Sequence, residues 1–99
     1  MINLNTLKAV KRRVEKLTYQ DFDLETEEFF DKEANLPVWI TDDKELIVSA
    51  ESENSQLFVD YYGEFRGGYP FIHEKLEEIA EEFDGYWEWK NPGSISFAQ

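Results

Sequence analysis

Carboxylates are the one abundant class of side chain in this sequence that could carry chemistry. The chain holds 22 aspartates and glutamates, one histidine and no cysteine among its 99 residues. The absence of cysteine excludes thiol nucleophiles, cysteine-ligated zinc and iron–sulfur clusters. General acid–base catalysis needs two carboxylates whose surroundings separate their pKa values, and no spacing in the chain singles out such a pair. The sequence therefore predicts no catalytic residue, and we expect a protein that is not an enzyme.

The segments that come nearest to ligand-binding motifs are each incomplete. Residues 73–77 resemble the His-Glu-x-x-His zinc helix, but Glu77 stands at the second histidine position, so we expect His73 to be a surface or helix-start residue. The acidic run 21–33 lacks the sixth-position glycine and the terminal spacing of a calcium-binding loop. The glycine-rich segment 63–70 lacks the Gly-Lys-Ser/Thr ending of a phosphate-binding loop. No metal and no cofactor is predicted.

A regular row of carboxylates marks the second long predicted helix. Its members fall at positions i, i+3, i+4, i+7 and i+8 and so share one face: Glu74, Glu77, Glu78, Glu81 and Glu82. At about 1.5 Å of rise per residue the row spans roughly 12 Å. Its linear density of about one charge per 3 Å of helix axis is close to that of one DNA strand, which carries one phosphate per about 3.4 Å of duplex axis. This similarity indicates nucleic-acid mimicry, and the alternative is the solvated face of an amphipathic helix.

A second acidic set and several aromatic residues complete the candidate partner-binding residues. Carboxylates alternate at Asp21, Asp23, Glu25 and Glu27, and Glu28 continues the charge. In an extended strand the alternating four would share one face at intervals of about 6.7 Å. Exposed aromatic side chains beside carboxylates suit a basic protein partner, because tyrosine and tryptophan often supply binding hot spots. We expect Tyr62 and Trp87 to have that role.

The charge is divided unevenly along the chain. Residues 1–17 hold five basic residues and one acid, a net of +4, which leaves −16 for residues 18–99 of the total −12. That charge opposes direct binding to nucleic acid or to an anionic membrane. The basic start either neutralises the acidic body, orients the protein on a partner or contacts phosphates. No apolar run follows it, so we expect neither a signal peptide nor a spanning helix, and we expect a cytoplasmic location.

Two helices and several strands are predicted to position these side chains. Apolar residues at three- and four-residue spacing from Leu7 to Leu17 predict a first helix. Residues 18–36 are expected to be irregular, with a short acidic helix over residues 27–34. The second long helix begins near Pro70 and ends at Gly85. Its predicted apolar face comprises Ile72, Leu76, Ile79, Ala80 and Phe83.

The remaining segments predict strands. Residues 38–41, 45–50 and 57–62 alternate between turn-forming stretches and predict a three-stranded antiparallel meander. Residues 86–90 and 94–97 flank Asn91-Pro92-Gly93 and predict a hairpin. The fold class is a single α+β domain over residues 1–99, an antiparallel sheet of four to five strands with helices on one face. The expected order is helix, short helix, three strands, helix and two strands.

In size, acidity, aromatic content and lack of a catalytic signature the chain resembles the small inhibitors that phages and mobile elements use against host defence, including anti-CRISPR proteins and DNA mimics. The acidic runs 21–33 and 74–84 carry the resemblance. The resemblance implies a stoichiometric binder that occupies the nucleic-acid groove of a basic nuclease complex. For a phage-encoded protein of that kind, the expected cytoplasmic location is the cytoplasm of the host cell. The +4 start of the chain is a departure from a pure DNA mimic.

These observations together predict a non-enzymatic acidic protein that binds a protein partner with a basic nucleic-acid-binding surface. The alternative is a small accessory or structural interaction domain whose acidity serves solubility. The sequence leaves the oligomeric state open.

Overall fold

The computed structural model describes residues 2–52, 54–62 and 70–99. Over these residues the predicted α+β class is confirmed, with helices α1 (Leu4–Glu15) and α2 (Glu74–Glu82). The strands are β1 (Thr18–Asp23), β2 (Glu28–Glu33), β3 (Val38–Ile40), β4 (Leu46–Ser49), β5 (Val59–Asp60), β6 (Phe71–Ile72), β7 (Tyr86–Asn91) and β8 (Ser94–Ala98). Most of the glycine-rich segment 63–70 lies outside the described residues.

A four-stranded antiparallel sheet, in the order β3-β4-β8-β7, forms the centre of the molecule. The hairpin predicted near the C-terminus is confirmed as β7–β8, in which Trp87 lies opposite Phe97. The side chain of Asn91 stabilises its turn, because Oδ1 accepts the Gly93 N–H at 2.8 Å. This is a side-chain mimic of a backbone turn, which asparagine forms readily.

Both helices pack on one face of this sheet and form a single core with it. Residues Val48 and Ile95 lie opposite each other on that face, and Trp87 and Phe97 extend it. The helices contribute Leu7, Val10, Val14, Leu76, Ile79 and Ala80, all of them buried. Because each helix buries one stripe, its charged residues are left on the opposite side, facing solvent.

Residues 18–33 form an antiparallel hairpin, β1–β2, so the prediction of irregular structure with a helix over residues 27–34 is wrong. Phe22 and Phe29 lie opposite each other, with ring centroids 5.0 Å apart, and cross-strand aromatic pairs favour a sheet. The hairpin turn is closed by the Glu27 N–H, which donates to the Asp23 carbonyl at 2.8 Å. Glu27 itself takes a left-handed conformation with φ of 58°. These turn contacts and the aromatic pair outweigh the helical composition.

The predicted three-stranded meander is correct only for its first two strands, β3 and β4. Within the third segment only Val59–Asp60 is a strand, and it pairs with β6 in a separate two-stranded sheet. Strand β8 takes the place beside β4, where Ile95 lies opposite Val48. Strand β8 of the C-terminal hairpin is longer than β5 and can cover more of the apolar strand β4. Local sequence patterns do not indicate which of two distant segments will pair with a strand.

Helix α2 is shorter than predicted at its N-terminal end. Ile72 belongs to β6 and not to the helix, and His73 is the N-cap. At the other end Asp84, with φ of 57°, takes the left-handed position, and the Gly85 N–H donates to the Ala80 carbonyl at 2.8 Å. Gly85 is needed for a different reason, since a β-carbon there would overlap the Ala98 carbonyl oxygen and the Phe97 ring.

Candidate protein-interaction surface

The five glutamates that the sequence places on one helix face are all exposed on α2: Glu74, Glu77, Glu78, Glu81 and Glu82. We call this row the α2 carboxylate face. The helix is held with this row outward because Leu76, Ile79 and Ala80 are buried in the core. His73 starts the helix, and its Nδ1 accepts the Lys75 N–H at 3.0 Å. The expectation of a helix-start histidine is therefore confirmed.

One end of the α2 carboxylate face is neutralised within the molecule. Glu82 forms an ion pair with Arg13 of α1. The other four glutamates of the face make no ion pair with any described residue. Lys75, the one cation inside the row, directs its Nζ to the Thr18 carbonyl at 3.0 Å. Part of the basic helix thus balances the negative charge of the rest of the chain, while four glutamates of the face have no ion pair with a described residue.

A shallow cleft separates α2 from β7, and an exposed aromatic side chain lies at its edge. Glu77, Glu81 and Tyr86 line this cleft together. Tyr86 is 52% exposed and follows directly after Gly85. The charge of Glu88, then its hydrogen bond to the phenol, then burial raise the pKa of Tyr86 above its ordinary value. The cleft therefore combines two carboxylates with a half-exposed aromatic ring.

Tyr86, which was not among the predicted partner-binding residues, is exposed, whereas the predicted Trp87 is buried. Trp87 is 8% exposed, and its indole N–H donates to the Leu76 carbonyl at 2.7 Å. Alternation along β7 puts neighbouring side chains on opposite faces, so burial of Trp87 exposes Tyr86. The signal was present in the alternation, but the pattern alone does not say which of the two aromatics faces the core.

Tyr62 is 66% exposed, but the structure places it in a separate groove. That groove is lined by Glu51, Asp60 and Pro92, among others, and none of the α2 glutamates belongs to it. Tyr61 lies between Tyr62 and Trp89, with ring centroids 5.4 Å and 5.2 Å away respectively. Tyr62 and the α2 carboxylate face are therefore not parts of one cleft.

The acidic set on the hairpin is arranged differently from the predicted extended row. Asp21 and Asp23 share one face of β1, but Glu25 and Glu27 lie in the turn. Glu28 begins β2 and lies opposite Asp23. The four alternating carboxylates would share one face only in a continuous strand, and the chain reverses after Asp23. The charges instead surround the tip of the hairpin.

Among the described residues no group of three or more histidine, aspartate or glutamate side chains is placed to hold a metal ion. No helix in the described part of the chain is long and apolar enough to cross a membrane. No protein-family model, no curated protein sequence and no solved structure matches the chain. Inference about function therefore depends on the surfaces of the molecule itself.

Proposed function

We propose that this chain is a non-enzymatic inhibitor that occupies the basic nucleic-acid site of an enzyme such as a CRISPR effector or another defence nuclease. The observation that carries the proposal is the α2 carboxylate face. Four of its five glutamates have no ion-pair partner among the described residues, and all five are exposed. A surface of this kind complements the lysines and arginines that bind phosphates.

The spacing of the face supports the same partner. Glu74 to Glu82 span roughly 12 Å along the helix axis, which is about one carboxylate per 3 Å of axis. One strand of a DNA duplex carries one phosphate per about 3.4 Å of axis, so a groove lined with cations for that strand would meet a similar linear density of negative charge on α2. Because the body of the protein is strongly negative, long-range attraction also accelerates its encounter with a basic groove.

The cleft beside β7 supplies the short-range contacts that charge alone lacks. Tyr86 borders Glu77 and Glu81 there, and its exposed ring offers apolar area to a partner. Tyrosine is enriched among the residues that dominate binding energy, and its partly apolar ring excludes water from neighbouring ion pairs. We assign Tyr86, Glu77 and Glu81 as the centre of the proposed interface.

The acidic residues at the C-terminal end of α2 are unfavourable for the stability of the helix. Glu81, Glu82 and Asp84 place negative charge at the negative end of the helix dipole, where each acid costs a few tenths of a kcal/mol. Asp84 also occupies the left-handed position that glycine takes most readily. Carboxylates at these positions are explained by a partner that binds them.

Charge reversal within the face tests the proposal. Glu77→Lys with Glu81→Lys changes the charge by four units without removing the Arg13 ion pair. The matched control is Asp42→Lys with Asp43→Lys, two exposed residues of the turn between β3 and β4. DNA binding by a panel of purified CRISPR effectors and restriction nucleases is measured by fluorescence anisotropy against rising inhibitor concentration.

We expect the unaltered protein to displace DNA from its target at a one-to-one ratio. The α2 double variant should need at least about tenfold more protein, which corresponds to a loss of about 1.4 kcal/mol. The control variant should remain within about twofold. Equal inhibition by the two double variants would remove the α2 carboxylate face from the mechanism.

An accessory or structural interaction domain whose acidity serves solubility is the second candidate. The Arg13–Glu82 ion pair favours it, since it shows part of the charge being balanced inside the molecule. Under that function the partner binds through apolar contacts, and its affinity depends weakly on salt. Under the inhibitor function, affinity falls steeply between 50 and 500 mM salt.

A further inference from the structure

The hairpin β1–β2, which we call the acidic hairpin, is a second surface that the α2 carboxylate face does not include. We propose that it is a docking arm for an amphipathic basic segment of a partner protein. Apolar side chains of that segment would cover the phenylalanines of the hairpin, and its lysines or arginines would lie against the surrounding carboxylates. The proposal goes beyond the inhibitor function and does not depend on it.

Large apolar side chains are exposed on this hairpin to an unusual degree. Phe29 is 69% exposed and Leu24, in the turn, is 84% exposed, while Phe22 and Phe30 are 43% and 44% exposed. Every residue of β2 is exposed. Single exposed apolar residues are ordinary on protein surfaces, but a cluster on one element marks an interaction site.

The apolar residues are arranged as a preformed pair. Phe22 and Phe29 occupy the same face of the hairpin, where their rings meet at a centroid distance of 5.0 Å and an angle of 58°. Leu24 follows in the turn next to them. Phe30 lies on the opposite face, across from Asp21. A partner that covers the Phe22–Phe29 face therefore meets two aromatic rings in contact, with the carboxylate residue Asp31 on the same face of β2.

The hairpin is ordered well enough to present that patch. The Asp23 side chain accepts the Glu25 N–H at 2.8 Å, which fixes the turn. At the base, the Ala34 N–H donates to the Leu17 carbonyl at 2.9 Å, and Tyr19 packs against the core. Beyond this base β1 and β2 contact chiefly each other, and the molecule measures 49 × 29 × 22 Å. An arm held in its binding conformation loses little entropy when it docks.

The negative charge around the phenylalanines determines which kind of segment can bind there. Residues 18–33 contain seven acids and one lysine, for a net charge of −6. A second copy of the same hairpin and an anionic membrane are both repelled by that charge. A purely basic segment leaves the phenylalanines in water, and a purely apolar segment leaves the carboxylates unpaired. A segment with an apolar stripe and flanking lysines or arginines satisfies both, in the way that amphipathic helices dock through one face.

The test uses a defined probe, an 18-residue helical peptide with leucines on one face and lysines on the other. Its control is an oligolysine peptide of the same charge. Binding of each to the isotope-labelled protein is followed by amide chemical shifts and quantified by titration. The hairpin variant is Phe22→Thr with Phe29→Thr, because threonine retains strand propensity. The matched control is Leu57→Thr, an apolar residue that is 42% exposed outside the hairpin.

We expect the leucine–lysine peptide to shift the amides of residues 18–33 and to bind at least tenfold more tightly than oligolysine. The double threonine variant should weaken it at least tenfold, and Leu57→Thr should change it less than twofold. If the double variant perturbs the resonances of the four-stranded sheet, Leu24→Asn takes its place and should weaken binding about threefold. Reversal of Glu77 and Glu81 should leave the hairpin shifts in place, which separates this result from a failure of the inhibitor function.

Four outcomes would overturn the proposal. These are equal affinity for the two peptides, peptide shifts confined to the α2 carboxylate face, and no binding at millimolar peptide. The fourth is a different occupant, seen either as concentration-dependent dimerisation abolished by the threonine substitutions or as binding to phosphatidylcholine vesicles.

Discussion

Replacement of Asp84 by glycine should stabilise the fold, and the structure allows the gain to be estimated. Asp84 ends α2 in a left-handed conformation with φ of 57°. Its N–H donates to the Glu81 carbonyl at 3.1 Å, and the next N–H, of Gly85, reaches the Ala80 carbonyl at 2.8 Å. These two bonds form the motif that commonly ends helices, in which glycine is the usual residue at the left-handed position.

Three contributions determine how much Asp84→Gly changes the free energy of unfolding. A β-carbon in the left-handed conformation costs about 1 kcal/mol. Negative charge at the C-terminal end of a helix costs about 0.3–0.5 kcal/mol. The greater freedom of glycine in the unfolded chain offsets about 0.5 kcal/mol of these gains. Asp84→Gly should therefore raise the free energy of unfolding by about 1 kcal/mol, which in a domain of this size raises Tm by about 4–8 °C.

Urea and thermal unfolding followed by circular dichroism would measure the change. Asp84→Asn is the matched control, since asparagine also tolerates the left-handed conformation and removes only the charge, so it should gain only a few tenths of a kcal/mol. A glycine variant that is no more stable than the unaltered protein would refute the reasoning about the helix end. It would also remove the argument that these acids are kept at a cost to stability.

Three further predictions follow from contacts in the core and at the cleft. Gly85→Ala should lower the free energy of unfolding by about 2–3 kcal/mol, because the added β-carbon would overlap a backbone oxygen of β8. Gly93→Ala is the comparison, since its β-carbon would meet only the flexible side chain of Glu51. It should cost less than about 1 kcal/mol in the same urea titration. Trp87→Phe should lower the free energy of unfolding by about 1–3 kcal/mol, since it removes the indole N–H that donates to the Leu76 carbonyl and leaves space where the larger ring was buried; unchanged stability would mean that neither contributes. The pKa of Tyr86 is raised chiefly by the charge of Glu88, so Glu88→Gln should lower it when the phenol is titrated by carbon NMR. Because the folded state holds this proton more tightly, its contribution to stability is complete below the unfolded tyrosine pKa of about 10 and is lost as the pH rises through the folded value.

Local patterns account for the parts of the fold that were predicted correctly. The apolar spacing from Leu7 to Val14 defines α1, because a helix that buries one stripe needs that period. The Asn91-Pro92-Gly93 turn defines the β7–β8 hairpin for an equally local reason. The acidic row on α2 was predictable from the same helical period, since the opposite face must be buried.

The strand pairings and the exposed faces that the sequence did not predict depend on contacts between segments far apart in the chain. Strand β4 pairs with β8 and not with β5, although β5 is closer in sequence. The acidic hairpin escaped prediction because residues 19–27 alternate as in a strand whereas residues 27–34 also suit a short acidic helix, and the exposed phenylalanines give no core-facing pattern that decides between the two. Tyr86 and Trp87 lie on opposite faces of β7. Trp87 is on the face that packs on the helices, where it lies opposite the core residue Phe97.

The proposed inhibitor function is tested most directly by capture of bacterial lysate proteins on the immobilised chain, followed by elution with competitor DNA. Parallel columns carry the Glu77→Lys/Glu81→Lys variant and the Asp42→Lys/Asp43→Lys control. The proposed function predicts that a basic nucleic-acid enzyme is retained by the unaltered protein and by the control, is released by DNA, and is not retained by the α2 variant. Retention of the same partner on all three columns, with no release by DNA, would contradict it.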